Sequence, residues 1–151
     1  MNNIHHLKNV TSYEADYARW CAEQGALLRA GKLEALDLQN LAEEIETLGR
    51  SEKSEIENRL NVLLLHLLKR KYQPQQRSGS WKATIVEQRA RLAKRLRENP
   101  SLKSYPAEIL EEEYAIARIK AADESGLSET SFPQACPMTT SQILDPQFYP
   151  D

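Results

Sequence analysis

The sequence predicts an all-α protein, a bundle of four or five helices with an irregular C-terminal strap. Apolar residues recur at helical spacing in several segments, and no run of useful length alternates apolar and polar residues as a strand would. Glycine and proline fall near the ends of the periodic segments. With 151 residues, the chain is expected to form a single domain, with a loose N-terminus at 1–11 and the strap at 127–151.

The stretch 36–72 contains the densest apolar run of the chain. Two sets of apolar residues recur there at steps of three and four, the spacing of one helix face: Leu38, Leu41, Ile45 and Leu48, then Ile56, Leu60, Leu63 and Leu67. We predict that both faces are buried against other segments. A single helix over 36–72 would be about 55 Å long, so a break is favoured, with Gly49 ending one helix and Ser51 capping the next.

The flanking segments are assigned from caps and apolar spacing. Thr11 and Glu14 have the form of a capping box that opens a first helix, which Gly31 ends, and Asp37 caps the second helix. The sets below share one helix face each. They are Tyr13, Tyr17, Trp20, Cys21, Gln24, Leu27 and Leu28 in the first helix; Trp81, Ile85, Leu92 and Leu96 in a fourth helix capped by Ser80; and Leu110, Tyr114, Ala117 and Ala121 in a fifth helix between Pro106 and Gly126. A short helix near Thr140–Leu144 is expected in the strap.

Charge is distributed unevenly along a chain whose net charge is only −2. Residues 58–97 hold eleven Lys or Arg and one acid, a net of +10, and the remaining residues hold nine basic and twenty-one acidic side chains, a net of −12. Such asymmetry fits a nucleic-acid contact, whose candidate residues are Arg70, Lys71, Arg77, Lys82, Arg91, Lys94 and Arg95. Internal neutralisation, for example by Glu111–Glu113, is the favoured alternative.

Catalytic motifs are missing from the sequence. GxxxxGK[ST], GxGxxG, HExxH and GxSxG do not occur. The remaining candidate for a metal-dependent or hydrolytic site is Glu43 or Glu44 with His66, if the helices fold back as a hairpin. The competing interpretation, which we favour, makes His66 a boundary residue hydrogen-bonded to a neighbour.

Metal, cofactor and membrane binding are not predicted. The pair His5 and His6 lacks a third ligand, and no apolar run approaches the length of about 18 residues that a membrane helix needs. Cys21 and Cys136 have no CxxC spacing. We expect two reduced thiols in a cytoplasmic protein.

Several motifs together resemble the bacterial domain-of-unknown-function family twenty-nine. They span nearly the whole chain: Tyr13, Asp16 and Trp20; Leu41-Ala42-Glu43-Glu44-Ile45 with Gly49; His66-Leu67-Leu68-Lys69; Trp81; Pro100-Ser101-Leu102; Tyr114 with Ala117; and Cys136-Pro137 with Gln142-Ile143-Leu144. The resemblance implies an all-helical bacterial protein. It brings no assigned activity, cofactor or catalytic residue.

The function expected from these observations is that of a non-enzymatic interaction or adaptor protein. Its partner would be another protein or a second copy in a homodimer, because helices rich in charge and free of catalytic motifs suit that role. A nucleic-acid-associated protein that uses 69–97 is one alternative. An enzyme built on Glu43, Glu44 and His66 is the other.

Overall fold

The computed structural model describes residues 11–151, and within them the protein is an all-α helical bundle with no strand. The α-helices are α1 (Tyr17–Arg29), α2 (Leu38–Tyr72), α3 (Gly79–Glu98), α4 (Tyr105–Ser125) and α5 (Thr140–Leu144). Single 3-10 turns lie at Leu33–Ala35, Pro74–Gln76, Pro100–Leu102 and Glu129–Ser131. The predicted fold class is confirmed, whereas His5, His6 and most of the predicted loose N-terminus lie outside the described residues.

The described chain groups into two compact units, one ending at Gly49 and the other running from Arg50 to Asp151. The first unit contains α1, the turn at Leu33–Ala35 and the beginning of α2. The second unit contains the rest of α2, α3, α4 and the strap. That the whole chain acts as a single domain stays a prediction.

In the first unit, α1 begins later than the proposed capping box would place it. Its N-cap is Asp16, whose carboxylate accepts a hydrogen bond from the backbone N–H of Arg19 at 3.1 Å. The predicted cap Thr11 instead donates from its backbone N–H and its hydroxyl to Glu23, both at 2.9 Å. An aspartate is as good a cap as a threonine, so the local pattern alone did not decide between the two positions.

Helix α2 runs without interruption through Gly49 and Ser51, and the predicted break is wrong. Gly49 does not adopt the left-handed conformation that a glycine cap requires, unlike Gly31 and Gly126, whose φ angles are 70° and 71°. A glycine inside a helix costs only about 1 kcal/mol relative to alanine. The remaining good helix formers on both sides offset that cost.

This continuity makes a testable prediction at Gly49. A Cβ atom built there meets no atom within 4 Å, so we expect Gly49→Ala to raise the free energy of unfolding by about 0.5–1 kcal/mol. Gly49→Pro should lower it by about 3 kcal/mol or more. Thermal unfolding followed by circular dichroism measures both, and a destabilising alanine would show that the chain needs a break at this position.

The hydrophobic core lies in the second unit. Ile56, Leu60, Leu63 and Leu67 of α2 are fully buried, as predicted. They belong to one cluster with Ile85 and Leu92 of α3, Tyr114, Ala117 and Ala121 of α4, and Phe132, Met138 and Ile143 of the strap. The small residues of α4 allow close helix packing.

The apolar set at the start of α2 is not part of this core. Leu38, Ile45 and Leu48 are 67%, 66% and 68% exposed, so the prediction that this face is buried is wrong. Helical spacing shows that these residues share one side of the helix. It does not show that another segment of the chain covers that side.

The C-terminal strap is confirmed as an ordered segment packed on the core. Phe132 and Ile143 are buried in it, and α5 opens with a capping box between Thr139 and Gln142. The hydroxyl of Tyr114 in α4 donates to the carbonyl of Pro133 at 2.5 Å. Apolar anchors and backbone hydrogen bonds together fix a segment that has little regular structure.

Candidate functional site

A buried tryptophan organises the polar contacts of the first unit. Trp20 is 2% exposed, and its indole N–H donates to the carboxylate of Asp37 at 3.0 Å. The side-chain amide of Asn40 donates to the same carboxylate at 2.8 Å, and the backbone N–H of Asp37 donates to Gln24 at 2.8 Å. Asn40 first, and then Trp20, donate to this carboxylate and lower the pKa of Asp37 below its ordinary value. Asp37 therefore binds the indole of Trp20 in α1 and caps the N-terminus of α2, as predicted.

Glu44 lies about two helical turns after Asp37, and its carboxylate is bound by two tyrosines. The hydroxyl of Tyr13 donates to one carboxylate oxygen, and the hydroxyl of Tyr17 donates to the other at 2.6 Å. The two rings lie edge-to-face with centroids 5.6 Å apart. The hydrogen bond from Tyr13, followed by that from Tyr17, lowers the pKa of Glu44, and the same interaction raises the pKa of Tyr17. Glu44 is thus an ionised acceptor that ties α1 to α2.

The proposed Glu44–His66 pair depended on a hairpin about Gly49, and the continuous helix α2 contains no hairpin. The ring of His66 instead donates from Nδ1 to the carbonyl of Val62, one turn earlier, at 2.8 Å. Glu43 is exposed. Among residues 11–151, no group of three or more His, Cys, Asp or Glu side chains is placed to hold a metal ion.

The basic side chains of the second unit make internal contacts. Arg95 binds Glu52 at 2.9 Å, Arg91 binds Glu87 at 2.9 Å, and Lys94 lies 3.9 Å from Glu98. The other candidates contact uncharged groups: Arg70 and Lys82 the ring of Tyr149, Lys71 the carbonyl of Asp151, and Arg77 the carbonyl of Arg70. The acids in these pairs come from α2 and α3, not from Glu111–Glu113. Each of the seven predicted nucleic-acid-binding residues therefore has a partner within the protein.

Retention on a polyanion column tests whether this basic segment is used externally. Because Arg91, Lys94 and Arg95 are already paired with acids of the same chain, we expect the protein to elute at about 0.15 M salt or below. Arg91, Lys94 and Arg95 changed together to alanine should alter that elution only slightly. Strong retention that the triple variant abolishes would favour the nucleic-acid interpretation.

One of the eleven basic residues of 58–97 is buried. Arg89 of α3 is 4% exposed, and its Nε donates to the carbonyl of Ile143 in α5 at 2.8 Å. Sequence spacing contained the signal, because Arg89 follows Ile85 by four positions and precedes Leu92 by three, and both are core residues. It lines a small cavity beside the strap.

The beginning of α2 carries an exposed apolar face in the first unit. We call Leu38, Leu41, Ile45 and Leu48 the α2 stripe. Three of its members are about two-thirds exposed and Leu41 is half-buried. Their spacing in the sequence indicated one helix face, which we predicted to be buried against other segments. Within residues 11–151, no helix combines the length and apolar character needed to cross a membrane.

These features define an all-α protein with a tyrosine–carboxylate tie in its first unit and a leucine-rich core in its second. The family model described as "Domain of unknown function DUF29" matches residues 12–149. The chain belongs to this family, which confirms the resemblance seen in the sequence. No curated protein and no solved structure matches it.

Proposed function

We propose that the protein is a non-enzymatic interaction protein that pairs with a second copy of itself through the α2 stripe. One observation carries the proposal: Leu38, Ile45 and Leu48 lie on one helix face and are each about two-thirds exposed. Scattered exposed leucines are ordinary, whereas a contiguous apolar face marks an interaction surface.

The spacing of the stripe suits helix pairing. Steps of three, four and three residues match the a and d positions of two heptads. In an antiparallel pair centred between Leu41 and Ile45, Leu38 of one copy would face Leu48 of the other. The same four residues then serve both copies, which is the requirement for a two-fold symmetric interface.

The residues beside the stripe favour close approach of a second helix. Ala42 and Gly49 flank it on one side and are too small to hold the helices apart. Glu44 lies on the other flank, where its two oxygens already accept hydrogen bonds from Tyr13 and Tyr17. The remaining acids of this part of α2 lie away from the stripe at helical spacing, so pairing does not bring them together.

The length of the stripe sets the expected affinity. Eleven residues from Leu38 to Leu48 span about 16 Å. A helix face of this length buries less than the area of about 800 Å² per partner that is typical of stable dimers. We therefore expect a reversible dimer with a dissociation constant in the micromolar range or weaker. Two unpaired cysteines fit a reducing compartment such as the bacterial cytoplasm, which is part of the proposal.

Sedimentation velocity over a concentration series tests the proposal. The native protein should shift from monomer to dimer between about 1 μM and about 1 mM. Ile45→Glu should stay monomeric throughout, because it places two like charges near the two-fold axis without removing any core contact. Ile119→Glu on α4 is the matched control, since Ile119 is 55% exposed and Ile45 is 66% exposed.

The outcomes separate self-association from other uses of the stripe. Dimerisation of the native and Ile119→Glu proteins, with a monomeric Ile45→Glu variant, supports the proposal. A native protein that stays monomeric at the highest concentration overturns it. An Ile45→Glu variant that dimerises as well as the native protein would place the interface elsewhere.

A further inference from the structure

Three cations surround the ring of Tyr149 in the strap. The guanidinium carbons of Arg70 and Arg89 lie 4.7 and 5.3 Å from the centre of that ring, and Nζ of Lys82 lies 5.8 Å from it. Arg70 belongs to the end of α2, whereas Lys82 and Arg89 belong to α3. No two of these charges can be further apart than the sum of their distances to the ring centre. We call the four residues the Tyr149 cluster.

The positive charge of the Tyr149 cluster is not neutralised by an ion pair. In the part of the chain that the structure describes, none of the three cations pairs with a carboxylate. Burial lowers the pKa of Arg89, and the side chains of Tyr149 and Asp145 act in the opposite direction with a smaller effect. Glu87, the acid within 58–97, is paired with Arg91. The cluster therefore keeps an excess of positive charge.

The aromatic ring compensates this charge only in part. A cation is attracted to the electron-rich face of a tyrosine, but the ring of Tyr149 carries no net charge. Like charges held close together repel one another. Arginine keeps its charge at neutral pH, so loss of a proton does not relieve the repulsion between Arg70 and Arg89. An anion bound at the cluster would relieve it.

Two of the three cations can be reached from solvent. Lys82 is exposed and Arg70 is half-buried, whereas Arg89 is 4% exposed. In the guanidinium of Arg70, Nε is buried without a partner, while Nη1 and Nη2 keep accessible surface and donate to no group within residues 11–151. A ligand at the surface can therefore contact Nζ of Lys82 and both terminal nitrogens of Arg70.

We propose that the Tyr149 cluster binds a phosphate group, whose oxygens accept hydrogen bonds from Nη1 and Nη2 of Arg70 and from Nζ of Lys82. The guanidinium fork matches two oxygens of a phosphate, and a lysine binds a third as a point charge. Arg89 donates to the carbonyl of Ile143 at 2.8 Å, so it contributes its charge from the core side without touching the ligand. A phosphate dianion neutralises two charges of the cluster, whereas a carboxylate neutralises one.

This site uses a different part of the basic segment from the cations of the column test. Arg91, Lys94 and Arg95 lie further along α3 and pair with acids of the same chain. Binding of one phosphate group does not require these pairs to open. Weak retention on a polyanion and binding of a small phosphate are therefore compatible.

Inorganic phosphate is the first probe, and acetate is its monoanionic control. Backbone amide chemical shifts of the full chain are followed at about pH 8, where a phosphate group is dianionic, and chloride keeps the ionic strength constant. We expect saturable shifts near Arg70, Lys82 and Tyr149 that are half-complete at about 1–10 mM phosphate. Acetate should bind about fivefold more weakly or worse.

A titration with glycerol phosphate distinguishes the two sources of a phosphate group. Binding tighter than that of inorganic phosphate identifies the group as part of a small phosphate ester. Weaker binding identifies the free anion. Both results support the site, because its contacts are with the phosphate oxygens.

Substitutions of Lys82 test the contact without disturbing the core. Lys82→Gln removes one reachable cation at an exposed position, so it should weaken phosphate binding about fivefold or more and leave the protein folded. Lys82→Arg keeps the charge and should retain binding. Lys94→Gln is the matched control, since Lys94 is exposed on the same helix and lies outside the cluster. It removes the same charge and should leave phosphate binding unchanged.

Four results would overturn the assignment. Equal weakening by Lys82→Gln and Lys94→Gln would mean that phosphate responds only to net charge, and acetate binding as tight as that of phosphate would remove the preference for a dianion. No saturable shift up to about 50 mM phosphate would show that the cluster binds no such ligand. A single-stranded oligonucleotide bound about a hundredfold more tightly, through Lys94 as well as Lys82, would indicate an extended nucleic-acid surface instead. The inference does not depend on self-association through the α2 stripe.

Discussion

Leu64→Ala is expected to lower the free energy of unfolding of the second unit by about 2–5 kcal/mol. Leu64 is fully buried in the core cluster, so alanine removes apolar contacts and leaves a cavity. Leu48→Ala makes the same chemical change on the same helix, but Leu48 is 68% exposed. Its expected cost is at most about 0.5 kcal/mol. Urea unfolding at low protein concentration measures both.

The concentration dependence of Leu48→Ala adds a second test. Self-association stabilises the folded state by mass action, so Leu48→Ala should cost more at high protein concentration if Leu48 lies in the dimer interface. Leu64→Ala should show a large loss at every concentration. Comparable losses for the two variants at low concentration would mean that the α2 stripe is covered by this same chain.

The two halves of α2 show what apolar spacing can and cannot predict. The sets that include Leu38 and Leu63 have the same periodicity, yet Leu38 is 67% exposed and Leu63 is fully buried. Periodicity records which residues share a face, and burial depends on whether a second segment is available to cover it. A run that is apolar on several helix faces, as in 62–68, predicted burial better than periodicity on one face did. The break predicted at Gly49 was wrong because a glycine inside a helix costs little free energy compared with breaking a long helix.

The polar contacts were predicted less well because they join residues far apart in sequence. Glu44 was predicted as a candidate for a site with His66, whereas in the structure its carboxylate accepts hydrogen bonds from Tyr13 and Tyr17. Nothing local links residues separated by about thirty positions. Arg89 was missed for another reason: it was counted only as one of the basic residues of 58–97, although its position between Ile85 and Leu92 indicated the core face.

Asp37→Ala is the second substitution with a large expected effect. It removes the carboxylate that accepts from the buried indole N–H of Trp20 and from Asn40. Loss of the cap costs about 1 kcal/mol, and a buried indole N–H without a partner costs about 1–3 kcal/mol more. The total, about 2–4 kcal/mol, should destabilise the first unit. Trp20 fluorescence reports it when Trp81, the only other tryptophan, is replaced by phenylalanine.

Asp37→Asn separates the charge of this side chain from its hydrogen-bonding capacity. The amide oxygen still accepts a hydrogen bond, so asparagine should cost less than alanine. Since the folded protein lowers the pKa of Asp37, the carboxylate stabilises the folded state fully above its unfolded pKa of about 3.9. That contribution declines as pH falls below this value and through the lower folded pKa. The stability difference between native protein and Asp37→Asn should therefore be constant near neutral pH and shrink below about pH 4. A difference that persists undiminished at pH 2 would mean that Asp37 acts through shape alone, and the tie between Trp20 and α2 would then owe nothing to charge.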